Sequence, residues 1–105
     1  MQQVNTAQFD AEALQSRQPV LVDFFTSGCV ACQDLAPLLE EVARETTAAL
    51  KVVTVDAGAE QELAAHYRVM SVPSLFLFRE GQCIGQRTGF CTRRALLAWL
   101  EAAWP

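Results

Sequence analysis

The sequence has neither an excess of basic residues nor a long apolar run. Its 105 residues include 8 lysines and arginines against 12 acidic residues, which gives a net charge of −4. A chain of this charge offers no basic surface to a phosphate backbone, so nucleic acid is not an expected partner. No apolar stretch has the length of a membrane span, and the start of the chain lacks the basic and apolar segments of a signal peptide. We therefore expect a single domain over residues 1–105 in the cytoplasm, without a membrane partner.

Cysteine is sparse and unevenly spaced, at positions 29, 32, 83 and 91. This pattern differs from the dense framework of a small disulfide-stapled protein. A structural zinc site needs about four ligands. The sequence has no second Cys-x-x-Cys and no His-x-x-x-His, since His66 is the single histidine. We therefore predict no metal site and no bound cofactor, and we keep a zinc-binding redox sensor as an alternative.

Three segments, at 20–25, 51–56 and 74–78, have the length of strands and are rich in β-branched and aromatic residues. The turn sequence REGQ separates the third of them from CIGQRT (83–88), which predicts a fourth strand and an antiparallel hairpin. A short strand around Val4 is a further candidate. The first two of the four strands flank a helix, so they are expected to be parallel with a right-handed connection.

Helical spacing of apolar residues predicts four helices around these strands. The segments are AQFDAEALQSR, residues 31–50, AEQELAAHY and residues 92–104. Asn5 or Thr6 is placed to cap the first helix, and Thr92 to cap the last. The resulting order predicts an α/β fold with a mixed central sheet of four to five strands, flanked by helices on both faces.

Cys29 and Cys32 lie where the first buried strand gives way to the long helix. The N-terminus of a helix presents unpaired N–H groups and a partial positive charge, which favour a thiolate over a thiol. Such a position lowers a cysteine pKa from about 8.5 into a range of roughly 3.5 to 7.5. The spacing lets the sulfurs meet across one helical turn, so the pair can alternate between dithiol and disulfide. Half of a metal site and two unreactive apolar thiols remain the alternatives.

Asp23 interrupts the apolar run VLVDFF and, by strand alternation, shares a face with Leu21 and Phe25. A buried carboxylate without a partner is costly, so Asp23 should either be protonated near neutral pH or have a specific partner. The functional hypothesis makes it a proton acceptor for Cys32. The alternative is a structural acid that is hydrogen-bonded to the backbone.

Three segments together resemble the thioredoxin family. LVDFFTSGCVACQDLAP is similar to its active-site strand and helix, and VMSVPSLFLFREGQ to its Val/Ile-Pro-Ser/Thr signature with the following strand and turn. RTGFCTRRALLAWL is similar to its closing glycine loop and last helix. The likeness extends over nearly the whole chain, although the first strand is shortened to MQQV, and it implies the thioredoxin fold.

The resemblance also implies catalytic roles. Cys29 matches the nucleophile of the family, Cys32 its resolving cysteine, and Asp23 the buried acid beneath the pair. Pro37 matches the proline that kinks the active-site helix. Cys29 and Cys32 are then a redox-active disulfide, and the expected activity is thiol–disulfide exchange with protein disulfides. A thioredoxin reductase or a thiol pool is the expected reductant.

A substrate-binding rim is implied as well. Gly28 precedes the nucleophile, Val72 and Pro73 match the cis-proline segment of the family, and Gly89 matches the glycine of its substrate groove. A cis-proline at this point presents a backbone edge to an extended peptide beside Cys29. A trans proline at the first residue of a strand is the alternative.

Several residues depart from the usual family pattern. Gly28 stands in place of a tryptophan, Val30 and Ala31 in place of Gly-Pro, and Val52 in place of a lysine near the buried acid. Without that cation, the pKa of Asp23 should be higher still. Because the dipeptide between the cysteines tunes their potential, we predict a more oxidising pair than that of a housekeeping reductase.

Cys83 and Cys91 are additional to the family pattern. We expect both to be buried and to pack as small apolar residues. A regulatory or third redox thiol is the alternative for Cys91, which lies two residues after Gly89. The unusual active-site sequence also leaves open a different class of protein, a domain that binds peptides or a partner subunit with little redox turnover.

Overall fold

The computed structural model describes residues 1–46 and 49–104. The strands are β1 (Gln2–Gln3), β2 (Val20–Phe25), β3 (Lys51–Asp56), β4 (Ser74–Arg79) and β5 (Gln82–Thr88). They form one mixed sheet in the spatial order β1-β3-β2-β4-β5. The four predicted strands are thus confirmed, and the short strand expected around Val4 lies just before that residue.

β2 lies at the centre of the sheet, parallel to β3 and antiparallel to β4. β1 is parallel to β3, and β4 and β5 form the predicted antiparallel hairpin, with a bulge after Leu77. A strand with the sequence VLVDFF has apolar side chains on both faces, so both faces must be covered. The sheet accordingly lies between two layers of helices.

Four helices cover the sheet within the described residues. They are α1 (Thr6–Phe9) with a following π-helical turn (Asp10–Leu14), α2 (Val30–Glu45), α3 (Gln61–His66) and α4 (Arg93–Ala103). Asn5 caps α1, because its side chain accepts the N–H of Gln8 while the Gln8 side chain accepts the N–H of Asn5. Thr92 accepts the N–H of Ala95 and caps α4 as predicted. In this part of the chain, no helix combines the length and apolar character that crossing a membrane requires.

The long helix α2 is shorter than the sequence predicts. It contains Pro37, as the resemblance implies, but it ends at Glu45 and not at residue 50. Thr46 has an extended backbone with φ −72° and ψ 136°. Threonine is β-branched and loses side-chain freedom in a helix, which favours an end at this point. Residues 47 and 48, which the same prediction included, lie outside the described residues.

Two apolar clusters lie on opposite faces of the sheet, and alternation along β2 divides them. Val22 and Phe24 join one cluster, together with residues of α1 and α3. Leu21 joins the other, together with Leu35 of α2 and residues of α4. Asp23 alternates with Val22 and Phe24, so its side chain belongs to the face that α2 covers.

The two cysteines outside the pair have different environments, and both are free thiols. Cys91 is buried and packs in the cluster that contains Leu96, as predicted. Cys83 is exposed on β5, where its Sγ lies 3.4 Å from the carbonyl oxygen of Gly85. The prediction that Cys83 is buried is therefore wrong. β5 is an edge strand with a neighbour on one side only, so its side chains are covered less than those of a central strand.

Candidate active site

Cys29 and Cys32 form a disulfide at the junction of β2 and α2, where the sequence predicts them. Their Cα atoms are 5.2 Å apart. Cys29 is the N-cap of α2, and its Sγ accepts the N–H of Cys32 at 3.1 Å. The sulfur of Cys29 therefore lies against the unpaired N–H groups of the first helical turn, where negative charge is stabilised.

The two cysteines of the pair differ in their access to solvent. Cys29 is half-buried, whereas Cys32 is only 5% exposed. The helix explains this difference, because Cys29 precedes the first turn while Cys32 lies one turn further along α2, towards the core. A large molecule that approaches the disulfide therefore meets Cys29 first.

A cis peptide bond joins Val72 and Pro73, as the resemblance implies. The carbonyl oxygen of Val72 lies 4.0 Å from Cys29 Sγ. The carbonyl oxygen of Pro73 accepts the N–H of Gly89 at 2.8 Å, which holds the loop after β5 against this segment. Gly89 has φ +91°, a conformation that residues with a Cβ rarely adopt. With Gly28 immediately before Cys29, the four predicted rim residues are brought together around the disulfide.

Asp23 lies on β2 with an exposed fraction of 2%. Its Oδ1 has no hydrogen-bond partner among the described residues. Burial raises the pKa of Asp23 from 3.8 to about 7, because desolvation disfavours the charged carboxylate. The sequence predicts that Asp23 is either protonated near neutral pH or held by a specific partner. The raised pKa corresponds to the first outcome, because part of the protein carries a protonated Asp23 at neutral pH.

No ion pair to Asp23 occurs within residues 1–46 and 49–104. Val52, at the position where the family commonly has a lysine, is buried in the apolar cluster on the same face of the sheet. The neighbouring Lys51 points to the opposite face, where its Nζ lies 2.7 Å from Glu12 Oε2. The carboxyl of Asp23 therefore has no compensating cation, which agrees with its raised pKa.

A cavity of about 290 Å³ lies beside Asp23 and Cys32. Its wall includes Ala36 of α2 and Thr54 of β3, the residue that lies opposite Asp23 in the sheet. Gly28 borders the cavity with φ +81°, and no atom lies within 4 Å of the place where its Cβ would be. The cavity is therefore uncovered at the position where the family usually has a tryptophan.

Sequence reasoning missed three exposed apolar residues that lie close in the sequence to predicted site residues. Val30 is 67% exposed, Met70 92% and Phe90 49%. Each of them lies within two positions of a predicted site residue. That proximity is the signal that would have found them, because large apolar residues in the loops around a reactive site are often left exposed for binding.

A half-exposed disulfide at a helix start can be opened by an external thiol and formed again without a large movement of the backbone. The sheet, with helices on both faces, holds this pair beside a backbone edge and above an acid. The geometry therefore defines a thiol–disulfide oxidoreductase on a thioredoxin fold.

Comparison with known proteins supports the same conclusion. The chain matches the family described as Thioredoxin over residues 1–102, and it belongs to this family. It is 38% identical to the thioredoxin of Mycobacterium tuberculosis over 97% of this chain and 88% of the relative. It is 35% identical to thioredoxin C-2 of Corynebacterium nephridii, with 93% of both chains covered. A bifunctional thioredoxin reductase/thioredoxin of Mycobacterium leprae is 38% identical over 98% of this chain, which corresponds to 22% of that protein.

Proposed function

We propose that the Cys29–Cys32 pair exchanges with disulfides of protein substrates, and that Cys29 is the residue with which they react. The proposal is based on the difference in exposure between Cys29 and Cys32. Cys29 is half-buried beside the carbonyl of Val72, whereas Cys32 is covered. A protein disulfide is too large to reach a covered sulfur, so it reacts at Cys29.

In the first step, the thiolate of reduced Cys29 attacks one sulfur of the substrate disulfide. A bond forms between Cys29 Sγ and that sulfur, the substrate disulfide breaks, and its second sulfur leaves as a thiolate that takes a proton from water. The N–H of Cys32 points at Cys29 Sγ and supports this role, because a donor to the sulfur stabilises its negative charge.

In the second step, Cys32 attacks Cys29 Sγ in the mixed disulfide. Asp23 accepts the proton of the Cys32 thiol, the Cys29–Cys32 bond forms, and the reduced substrate leaves as a thiolate. Two observations support Asp23 as the base. Its pKa of about 7 is matched to neutral pH, where part of the protein carries the ionised form. Asp23 and Cys32 also border the same cavity.

Substrates bind as extended segments along the rim. The carbonyl of Val72 beside Cys29 is a suitable acceptor for an N–H of such a segment, as in the addition of a strand to a sheet edge. Gly28 and Gly89 have no neighbour within 4 Å of their Cβ positions, so the chain of a substrate has space at both glycines. The substrates are therefore proteins whose disulfide lies in an accessible, flexible segment.

The reductant is a thioredoxin reductase or a pool of small thiols in the cytoplasm. The Mycobacterium leprae relative supports the reductase, since its name joins the two activities in one protein. The exposed free thiol of Cys83 supports a reducing compartment, because such thiols persist where glutathione and related systems keep them reduced.

A binding module with little redox turnover is the second candidate function. Val30, Met70 and Phe90 favour it, since exposed apolar side chains around a rim are typical of a surface that binds peptides. Both functions use the same rim, and only the oxidoreductase requires the sulfur chemistry of Cys29.

A single-turnover experiment separates the two. The protein is reduced, freed of reductant and mixed with insulin, and free thiols are alkylated and counted by mass spectrometry. We expect the wild type to reduce insulin, Cys29→Ser to leave it intact, and Cys32→Ser to stop at a covalent complex with an insulin chain. Cys83→Ser is the matched control, because it removes an exposed thiol outside the pair and should react like the wild type. A wild type that leaves insulin intact, or an active Cys29→Ser, contradicts the proposal.

A further inference from the structure

Met1 lies on the face of the sheet that α2 covers. Gln2 pairs with Val53 in the parallel register of β1 and β3, so Met1, one residue earlier, lies beside Val52. Side chains alternate along a strand, and Val52 belongs to the apolar cluster on the α2 side. Met1 as a whole is 46% exposed, but its side chain is only 12% exposed, so its exposed surface is mainly main chain. The side chain of Met1 is therefore covered.

This residue lies between two cavities. One is the cavity of about 290 Å³ that Asp23 and Cys32 border. The other has a volume of about 380 Å³, and its wall includes Glu40 and Arg44 of α2. Among the described residues, Met1 is the one that borders both cavities. Met1 is therefore a partition between a cavity at the redox pair and a cavity with two charged side chains in its wall.

The helix above this partition has small side chains. Ala36 borders the first cavity and Ala43 the second. They are seven residues apart, which is about two helical turns, so they lie on the same face of α2. Alanines leave room between a helix and a sheet, and Met1 occupies part of that room. Methionine suits such a place, because its unbranched and flexible side chain fills irregular gaps.

We propose that Met1 is a positioning residue for the redox pair, because its side chain separates the cavity beside Asp23 and Cys32 from the charged groups of α2. The inference rests on the proposed function, in which Asp23 accepts the proton of Cys32. An acid in an apolar environment keeps a raised pKa, whereas access of water or of a cation favours its ionised form. Because the cavity is already uncovered at Gly28, its remaining wall determines how far Asp23 stays desolvated.

The elements packed around Asp23 carry several titratable or charged groups on its face of the sheet. Within the described residues, these are the α-ammonium of Met1, Glu40 and Arg44 of α2, Asp56 of β3, Arg87 of β5 and the Cys32 thiol of the reduced protein. The ammonium group lies 3.8 Å from Glu40 Oε1, so these two charges compensate each other. Asp56 accepts two N–H groups of the turn after β3, and Arg87 is separated from Asp23 by β4. Removing the partition therefore connects Asp23 with water and with Arg44, and both favour the ionised acid.

The first measurement is the pKa of Asp23 in the oxidised protein, followed by NMR on the carboxyl carbons of isotope-labelled aspartate. Asp23→Asn assigns the signal, and each chain is released from a cleavable fusion partner with the residue under test at position 1. Met1→Ala shortens the side chain and keeps the α-ammonium, and it should lower the pKa of Asp23 by about one pH unit, because the acid becomes hydrated. Met1→Leu restores a side chain of similar volume and should match the wild type. An unchanged pKa in Met1→Ala overturns the proposal.

Val4→Ala is the matched control for a loss of packing. Val4 lies in the same segment as Met1, is 2% exposed, and belongs to the apolar cluster on the other face of the sheet. This variant should lower the free energy of unfolding and leave the pKa of Asp23 unchanged. If Val4→Ala lowers that pKa as much as Met1→Ala does, Met1 acts only through stability and the proposal is wrong.

Met1→Gln is the second variant if Met1→Ala fails to fold. It keeps the length of the side chain and brings an amide to the wall of the cavity. An amide N–H that donates to the ionised acid should also lower the pKa of Asp23, and an unchanged pKa in this variant contradicts the proposal as well.

The second measurement is the step in which Cys32 displaces a leaving group from Cys29. Reduced protein with Cys83→Ser is mixed with dithionitrobenzoate, an aromatic disulfide whose thiolate is coloured. The thiolate is released once when Cys29 attacks, and again when Cys32, having given its proton to Asp23, attacks Cys29 Sγ. The first release is an internal control, since it needs Cys29 alone, and should be the same in all variants.

The second release should be about threefold slower in Met1→Ala than in the wild type at about pH 8, because an acid with a lower pKa is a weaker base. The midpoint of its pH profile should also lie at a lower pH. Met1→Leu and Val4→Ala should both release the second thiolate at the rate of the wild type. A second release in Met1→Ala that is as fast as in Met1→Leu overturns the proposal.

Asp23→Asn separates a failure of this inference from a failure of the proposed function. If Asp23→Asn slows the second release and Met1→Ala does not, the inference about Met1 alone fails. If Asp23→Asn releases the second thiolate as fast as the wild type, Asp23 is not the base, and the inference about Met1 fails together with that part of the proposed function.

Discussion

Replacing Asp23 by asparagine should stabilise the oxidised protein by an amount that grows with pH. Asparagine has nearly the same shape as the acid and cannot ionise. In the folded protein, burial raises the pKa of Asp23 to about 7, whereas in the unfolded chain it is close to about 3.9. Over the interval between these values, the folded state holds a proton that the unfolded state has lost.

The sign and the size of the effect follow from this difference. Between about pH 4 and pH 7, the folded wild type binds more protons than the unfolded chain, so its free energy of unfolding falls as the pH rises. One pH unit of difference between two pKa values corresponds to about 1.36 kcal/mol, so the loss reaches about 4 kcal/mol above pH 7. Asp23→Asn has no such loss. Its stability relative to the wild type should therefore be about 4 kcal/mol greater at pH 8 than at pH 4.

The assay is urea unfolding of the oxidised proteins at pH values across this interval. The oxidised form is used because its disulfide removes the titration of the Cys29 and Cys32 thiols from the comparison. Glu101→Gln, which removes an exposed carboxylate from α4, is the control for the loss of one negative charge. If the stability curves of the wild type and Asp23→Asn run parallel from pH 4 to pH 8, burial does not disfavour the charged carboxylate, and the reasoning about the base is refuted.

Three further outcomes are expected. Val52→Lys should lower the pKa of Asp23, because an ammonium group on the adjacent strand favours the ionised acid. The free energy of unfolding should then stop falling at a lower pH than in the wild type, and an unchanged dependence on pH contradicts this prediction. The reduction potential of the Cys29–Cys32 pair, measured in glutathione buffers, should be higher than about −270 mV, the potential of a reducing thioredoxin. A potential at or below that value contradicts the prediction that Val30 and Ala31 make the pair more oxidising. Thr92→Ala should lower the free energy of unfolding by about 1 kcal/mol in urea, because the N–H of Ala95 loses its acceptor at 3.2 Å.

The strands could be predicted from the sequence because their apolar runs are continuous and their ends are marked. VLVDFF and KVVTVD are rich in β-branched or aromatic residues, and the structure contains β2 and β3 with the predicted bounds, 20–25 and 51–56. The end of α2 is different, because TTAAL follows it and its alanines and leucine are compatible with a helix. Local composition therefore favoured a longer helix than the chain forms.

The position of the cysteine pair and the identity of the rim residues were also predictable, since both belong to short motifs next to well-marked elements. The exposure of single residues could not be predicted from the sequence. Cys83 lies on a strand whose sequence is compatible with a buried position, and only the spatial order of the strands makes β5 an edge.

The two main departures from the family act on one group, although they are far apart in the sequence. Val52 leaves Asp23 without a cation on its own face of the adjacent strand, and Gly28 leaves the cavity that it borders uncovered. Gly28 is also favoured by the backbone, because a residue with a Cβ is strained at φ +81° even where the space around it is free. The loop therefore favours glycine at this position through its backbone, and the uncovered cavity is a consequence of the loop conformation. An almost fully buried acid with a pKa of about 7 then forms part of the wall of an uncovered cavity that Cys32 also borders, so both departures shape the surroundings of the same carboxyl group.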